Sequence, residues 1–312
     1  MKRKKSIYLR PYLNPTTMIT IRNNYSCMYI YRYIVCLFFF LVILSGCQSD
    51  NKNSSKTQKT SATVIPAAND DFFQEIGQQI GLDFVHSIGD EDLNNIVESV
   101  GGGAAFLDFD QDGFMDIYVC SGTWLKGFSK EKKPDKLPEN HLYRNKGDGT
   151  FDDVNKKAGL GGPWYSMGIT TGDFNNDGYP DIYLSNYGPN VLLKNNGNGT
   201  FTDVTKHAGV AGGKECSVGA AWLDYDNDGL LDLYVGNYLF FDPDYKYYYA
   251  PDGFPGPMAY DSQPDVLYHN KGNGVFEDVT KAMGIIDVDG RAMGVGAADY
   301  DDDGFVDIFV AN

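Results

Sequence analysis

Four short acidic segments carry the chemistry of this chain. Asp108-Phe-Asp110-Gln-Asp112-Gly113-Phe114-Met-Asp116 recurs as Asp173-Phe-Asn175-Asn-Asp177-Gly178-Tyr179-Pro-Asp181. It recurs again as Asp224-Tyr-Asp226-Asn-Asp228-Gly229-Leu230-Leu-Asp232 and as Asp299-Tyr-Asp301-Asp-Asp303-Gly304-Phe305-Val-Asp307. Oxygen side chains at positions 1, 3 and 5 converge when the glycine at position 6 allows a sharp turn. The backbone carbonyl at position 7 (Phe114, Tyr179, Leu230, Phe305) and the aspartate at position 9 complete an all-oxygen shell, the donor set of a hard cation such as Ca²⁺. Four copies that all keep Asp at position 9 argue against solvated acidic turns, so about four Ca²⁺ sites are expected. Asn175 removes one carboxylate from the second loop, which is expected to bind more weakly. An EF-hand would need Glu at position 12 on a following helix; here position 12 is Val119, Leu184, Val235 and Val310, inside strand-like runs. Extracellular calcium modules have Kd values of about 10⁻⁴–10⁻³ M, which suits a structural ion that ties a hairpin together.

Sixteen of the 42 acidic residues lie in these four loops, and the formal net charge of the 312 residues is −16. That acidity excludes a nucleic-acid binder, which needs a basic stripe. With 42 % hydrophobic residues the chain can build a core. Only five cysteines occur, too few for a disulfide framework. Cys120 and Cys216 could pair in an oxidising compartment, but packed free thiols are the expectation.

The elements that must position the loops repeat with them, at spacings of 65, 51 and 75 residues. A small and apolar run precedes each loop (Gly103–Leu107, Gly219–Leu223), and a β-branched or aromatic run follows it (Ile117–Val119, Ile182–Leu184, Leu233–Val235, Ile308–Val310). Third strands are expected at His141–Arg144, Val191–Lys194 and Val266–His269. Each turns through Asn-Gly or Asp-Gly pairs into Phe151–Val154, Phe201–Val204 or Phe276–Val279. Phe73–Gly81 repeats this last element ahead of the first loop, and its Phe73 is expected to supply a strand that closes the ring with a C-terminal blade missing from this sequence. Four antiparallel strands per unit define an all-β fold, a β-propeller of four-stranded blades with three complete and further partial blades here.

These residues give the chain a resemblance to the FG-GAP (VCBS-type) repeat family of integrin α subunits. It is more closely similar to proteins with an ASPIC/UnbV domain, related to cartilage acidic protein. Gly101-Gly-Gly-Ala-Ala-Phe-Leu-Asp108 and its sisters, the acidic loops and the segment 142–154 carry the likeness, which covers residues 72–312. It implies a calcium-stabilised propeller of about seven blades engaged in extracellular binding or adhesion. Because the sequence stops after the second strand of a fourth unit, it is expected to be an N-terminal fragment.

Residues 1–46 hold seven basic and no acidic residues, then an apolar run, Ile34–Leu44, too short to span a bilayer comfortably. Leu44-Ser-Gly-Cys47 resembles a bacterial lipobox, so residues 1–46 read as a lipoprotein signal peptide with Cys47 as the lipidated residue. Met28 would begin a leader of ordinary length. Residues 47–71 have the polar composition of a flexible tether, and residues 72–312 form the propeller. The expectation is an exported, monomeric protein anchored by lipid alone at a bacterial membrane, at the outer membrane or cell surface. Without the leader, 19 basic residues face 42 acidic ones, a net −23.

Within an antiparallel blade, alternate loops share a face. The acidic loops and Asn-Gly turns therefore lie on one face, and the insertions 82–100, 122–139 and 238–263 on the other. Trp124, Tyr238, Tyr245, Tyr247, Tyr248 and Tyr249 in these insertions are candidates for contact with an extracellular protein or glycan, or for packing onto their own blade. The four histidines (86, 141, 207, 269) show no metal-ligand spacing, and no nucleophile motif is present. A binding module is the expectation; the alternative is a carbohydrate-active lyase or hydrolase with a site in the propeller funnel.

Overall fold

Small residues before each loop, β-branched and aromatic residues after it and a glycine turn further on impose the same four-stranded meander three times. The computed structural model describes residues 73–312 apart from 131, 214–215, 246–252 and 286–288. The first sheet comprises β1 (Ala104–Leu107), β2 (Asp116–Val119), β3 (His141–Asn145) and β4 (Phe151–Asp153). The second comprises β5 (Ser166–Gly172), β6 (Asp181–Asn186), β7 (Val191–Asn195) and β8 (Phe201–Asp203). The third comprises β9 (Ser217–Leu223), β10 (Asp232–Asn237), β11 (Val266–Asn270) and β12 (Phe276–Asp278). Each is antiparallel in sequential order, and a two-stranded sheet of β13 (Gly294–Ala298) and β14 (Asp307–Ala311) follows. The fold is all-β, with the sheets arranged as propeller blades: the first strands β1, β5, β9 and β13 pack against one another in succession. The leader, the tether and Cys47 lie outside the described residues, as do Tyr247, Tyr248 and Tyr249.

The core lies between blades rather than within one. Leu107, Phe109, Tyr118 and Leu142 of the first sheet pack with Ile182, Leu184, Leu193 and Phe201 of the second. Phe174, Tyr183 and Leu192 then pack with Leu233, Val235, Tyr268 and Phe276 of the third. Sheets covered on both faces need no polar alternation, and accordingly β6 and β10 are buried along their whole length. Trp222 shows the arrangement: it stacks on Phe174 of the preceding blade, centroids 6.1 Å apart and planes 12° apart. Phe106, at the same register in the first blade, is 69 % exposed, and Phe309 on β14 is 74 % exposed.

A glycine stands at one register, five residues before each loop (Gly103, Gly168, Gly219 and Gly294), and close approach of the next inner strand explains the first three. A Cβ on Gly168 would stand 2.1 Å from the Val218 carbonyl oxygen, and one on Gly103 would stand 3.1 Å from the Cα of Gly168. At the insertion end, buried side chains sew neighbouring blades together. Asn140 Nδ2 donates to Ser166 Oγ (2.8 Å), whose hydroxyl donates to Asn186 Oδ1 (2.9 Å). Asn190, Ser217 and Asn237 repeat the motif one blade later at 3.0 and 2.6 Å.

Phe73 is 94 % exposed and in no strand among the described residues. What Phe73–Gly81 does share with the later copies is the helical turn that ends it. Gly81, like Gly159 after α1 (Asn155–Ala158) and Gly209 after α2 (Thr205–Ala208), has a positive φ and lies against the carbonyl of the phenylalanine that opens a fourth strand. The structure corrects the reading of Tyr238 as a contact residue. It is buried in an aromatic cluster with Tyr165, Met167 and Tyr260, because the chain leaving β10 continues along its blade, with the Tyr238 N–H donating to the Cys216 carbonyl (2.8 Å). Cys120 and Cys216 are free and buried, and burial pushes both thiols up to about 12.

Candidate metal centres and insertion face

Each acidic loop joins the first strand of its blade to the second, and its own backbone shapes it. In the first loop Asp108 accepts the N–H groups of Asp112 (3.1 Å) and Gly113 (3.0 Å), while Asp112 accepts that of Phe114 (3.0 Å). The same bonds recur in the second, third and fourth loops. This folding draws carboxylates together. Asp108, Asp110 and Asp116 bring ligand oxygens within 4.8 Å of one another, as do Asp224, Asp226 and Asp228, and Asp299, Asp301 and Asp303. The second loop contains no such trio among the described residues: Asn175 takes the place of a carboxylate and donates to Asp177 (3.0 Å).

Position 9 also has a structural role. Asp116 is fully buried and accepts the Phe109 N–H (3.1 Å) and the Asn145 N–H (2.7 Å), tying the loop to the third strand; Asp181 does the same with Phe174 and Asn195. Burial, reinforced by neighbouring loop carboxylates, raises these acids to about 6 and about 7 against the N–H bonds that lower them. Position 7 also has a second role. A Cβ on Gly147 would fall 2.6 Å from the Phe114 ring, and Tyr179 and Leu230 lie equally on Gly197 and Gly272. The loops and the Asn-Gly turns therefore do share one face.

The donor set fits a cation. In the first loop one oxygen of Asp110 is buried and without a hydrogen-bond partner, an unsatisfied acceptor within a carboxylate trio. The residues that would hold the ion are those at positions 1, 3, 5 and 9 with the position-7 carbonyl. Basic groups from the third strand already lean on the loops: Arg144 on Asp110 and Asp112, Lys194 on Asp177 (3.2 Å), and His269 on Asp226 and Asp232 (3.5 and 3.1 Å). Sequence spacing had set the histidines aside, because His269 lies 37 residues from Asp232 and only the pairing of β10 with β11 brings them together.

On the insertion face, Tyr245 remains partly exposed and stands 5.4 Å from the Tyr260 ring, Trp124 lies beneath Lys133 (5.9 Å), and Phe240 and Met258 are exposed. A group that sequence reasoning passed over is Glu98 in the first insertion. One oxygen accepts the N–H groups of Asn94 (2.5 Å) and Asn95 (3.1 Å), and the other is buried without a partner. Burial raises its carboxyl, with Asp90 adding to the shift. Nothing in the local sequence marks it except an acid directly after the buried pair Ile96 and Val97.

Blades with a hairpin acidic loop, a third-strand clamp on position 9 and interblade glycines define a repeat propeller, and the chain belongs to the FG-GAP-like repeat family, whose model matches residues 108–184, 173–235 and 258–310. It is similar to cartilage acidic protein 1 of Homo sapiens, 26 % identical over 181 residues, covering 55 % of this chain and 24 % of that protein. The Xenopus tropicalis protein of the same name is 29 % identical over 176 residues, covering 55 % and 25 %. The chain thus spans about a quarter of the length of these relatives. A solved structure of an Agrocybe aegerita lectin recognising non-reducing terminal N-acetylglucosamine aligns with 66 % of this chain and 56 % of its own, at 16 % identity. Its TM-score of 0.25 is too low to carry an argument.

Proposed function

We propose that this protein is a calcium-stabilised propeller, exported and lipid-anchored through Cys47, that binds an extracellular glycan or protein without chemically altering it. The convergence of three carboxylates in each of three loops of common construction carries the reading. Such loops repel themselves at neutral pH and are relieved by a divalent cation. When bound, Ca²⁺ supplies only charge compensation and a fixed turn; the chain's own residues do the rest. Asp116, Asp181 and Asp232 clamp each loop to its third strand. The blades so fixed present Trp124, Tyr245 and Phe240 on the opposite face as rigid contact area, with binding favoured over catalysis because nothing among the described residues there pairs a nucleophile with a base.

Two measurements test it. Isothermal titration of the chelator-treated chain with Ca²⁺ should show binding with Kd values of about 10⁻⁴–10⁻³ M; no heat and no change in melting temperature would sink the calcium reading. Glycan-array or surface-proteome binding should weaken in Trp124→Ala and Tyr245→Ala at unchanged melting temperature. Release of product from a polysaccharide would replace the binding role with the enzymatic one. Cys47→Ser should free the protein from the membrane fraction.

A further inference from the structure

One residue of the third strand, immediately before its closing asparagine, faces the acidic loop of its own blade in all three complete sheets. Its chemistry differs each time. Arg144 reaches both Asp110 and Asp112, and Lys194 places its ammonium 3.2 Å from Asp177. Both are cations with no lone pair to donate, so they compensate carboxylate charge and stay outside a metal's coordination sphere. His269 stands at the same register and does have a lone pair to offer. Its Nδ1 lies 3.1 Å from Asp232 Oδ1 and 3.5 Å from Asp226 Oδ2.

Asp226, Asp232 and the imidazole bring three ligand atoms within 4.8 Å of one another, a mixed nitrogen and oxygen set. Two of the three are held in place from outside the trio. Asp232 is fully buried and fixed by the N–H groups of Tyr225 (3.2 Å) and Asn270 (2.8 Å). The Tyr225 ring meets the imidazole edge-on at 5.8 Å and 71° and limits its rotation. A preset imidazole adds little for Ca²⁺, which takes oxygen donors, and much for zinc-class ions, which prefer nitrogen.

We infer that the third loop is a site for a borderline divalent transition cation of the zinc class, bound through Asp226, Asp232 and His269, while the first and second loops offer oxygen donors only. The inference rests on the cation-loop reading above and departs from it in the identity of the ion. Asp226 belongs both to this trio and to the carboxylate trio with Asp224 and Asp228, so the two ions compete for one loop.

The test titrates the full, chelator-treated chain with Zn²⁺ in excess Ca²⁺, and with Cu²⁺ as a paramagnetic probe. The parent should take up one Zn²⁺ equivalent, and its Cu²⁺ spectrum should show coupling to a single nitrogen. His269→Ala should lose that coupling and at least about tenfold in Zn²⁺ affinity. His269→Lys, which installs the group found at this register in the second blade, should do the same while keeping the charge pairing that supports folding. Both variants should retain Ca²⁺ uptake at the other loops. Zn²⁺ uptake that survives both variants, or that depends instead on His141, whose Nδ1 lies 2.7 Å from Asp153, would overturn the inference. A chain that binds Ca²⁺ but no Zn²⁺ would also overturn it. A chain that binds Zn²⁺ through His269 but no Ca²⁺ would uphold it and remove the calcium reading instead.

Discussion

The side-chain amide of Asn176 donates a hydrogen bond to the backbone carbonyl of Gly229, 2.9 Å away in the next blade's acidic loop. Asn227 makes the same bond to Gly304 (3.0 Å), and Gln111 makes it to Gly178. The donor is always position 4 and the acceptor always the position-6 glycine, so neighbouring loops are linked in a chain. Position 4 has a positive φ in every loop, 57°, 54°, 58° and 59° at Gln111, Asn176, Asn227 and Asp302, a conformation that Asn and Asp tolerate better than most residues. Asn176→Ala should therefore lower unfolding free energy by about 1–2 kcal/mol, from the lost bond and the strained φ together. Asn176→Gly loses the bond but relieves the strain, so it should cost less than the alanine variant in urea denaturation. Equal losses would assign the whole effect to the bond.

Removal of divalent cations should lower the melting temperature, and Asp228→Ala should reproduce part of that loss while blunting the further effect of EGTA. Differential scanning calorimetry with and without chelator checks both. The second loop, with Asn175 and without a carboxylate trio, should contribute least, so Asp177→Ala is expected to change the chelator response less than Asp228→Ala.

An inner-strand glycine and a loop glycine should be intolerant for two different reasons. Gly168→Ala places a methyl group 2.1 Å from a backbone carbonyl that cannot swing aside, and should cost about 3 kcal/mol or prevent accumulation of folded chain. Gly113→Ala meets no atom within 4 Å but keeps φ at 86°, and should cost about 1–2 kcal/mol. Comparing the two in urea separates crowding from backbone strain.

Glu98 gives a pH signature away from the loops. Burial and Asp90 raise its folded pKa above 4.5, while the Asn94 and Asn95 N–H groups oppose the shift, and its charge in turn helps raise the Tyr165 hydroxyl. A raised acid contributes stability that is complete below its unfolded pKa and is lost as pH rises through the folded value. Glu98→Gln keeps an acceptor for both N–H groups and carries no charge, so its stability relative to the parent should improve from about pH 4.5 upward. Melting curves of both proteins at pH 5 and pH 8 check this; a constant difference would rule it out.

Much of the fold was legible because its determinants are local. Asp-Gly and Asn-Gly pairs mark the hairpins, and Ile182-Tyr-Leu184 reads as a strand whatever lies beside it. The carboxylate trios were legible for the same reason, since positions 1 to 9 of one loop bring them together. What escaped was everything supplied by another segment. His269 reaches Asp232 only through strand pairing, Gly168 is required by Val218 of the next blade, and Asn176 serves Gly229 rather than its own loop. Tyr238 read as either a contact residue or packing for its own blade and is buried, because composition does not reveal which rings of an insertion fold back onto their blade.

The amide chain has a direction: Gln111, Asn176 and Asn227 each give a donor forward to the next loop, whereas Asp302 at the same position of the fourth loop has no amide to give. Any of the first three units therefore fits after another of them, provided head meets tail, as in other heterologous repeat contacts. Duplication or loss of one of these three blades leaves every remaining donor facing an acceptor. A change in blade number thus requires no compensating substitution at this seam, whereas an inverted blade would leave two carbonyls opposed.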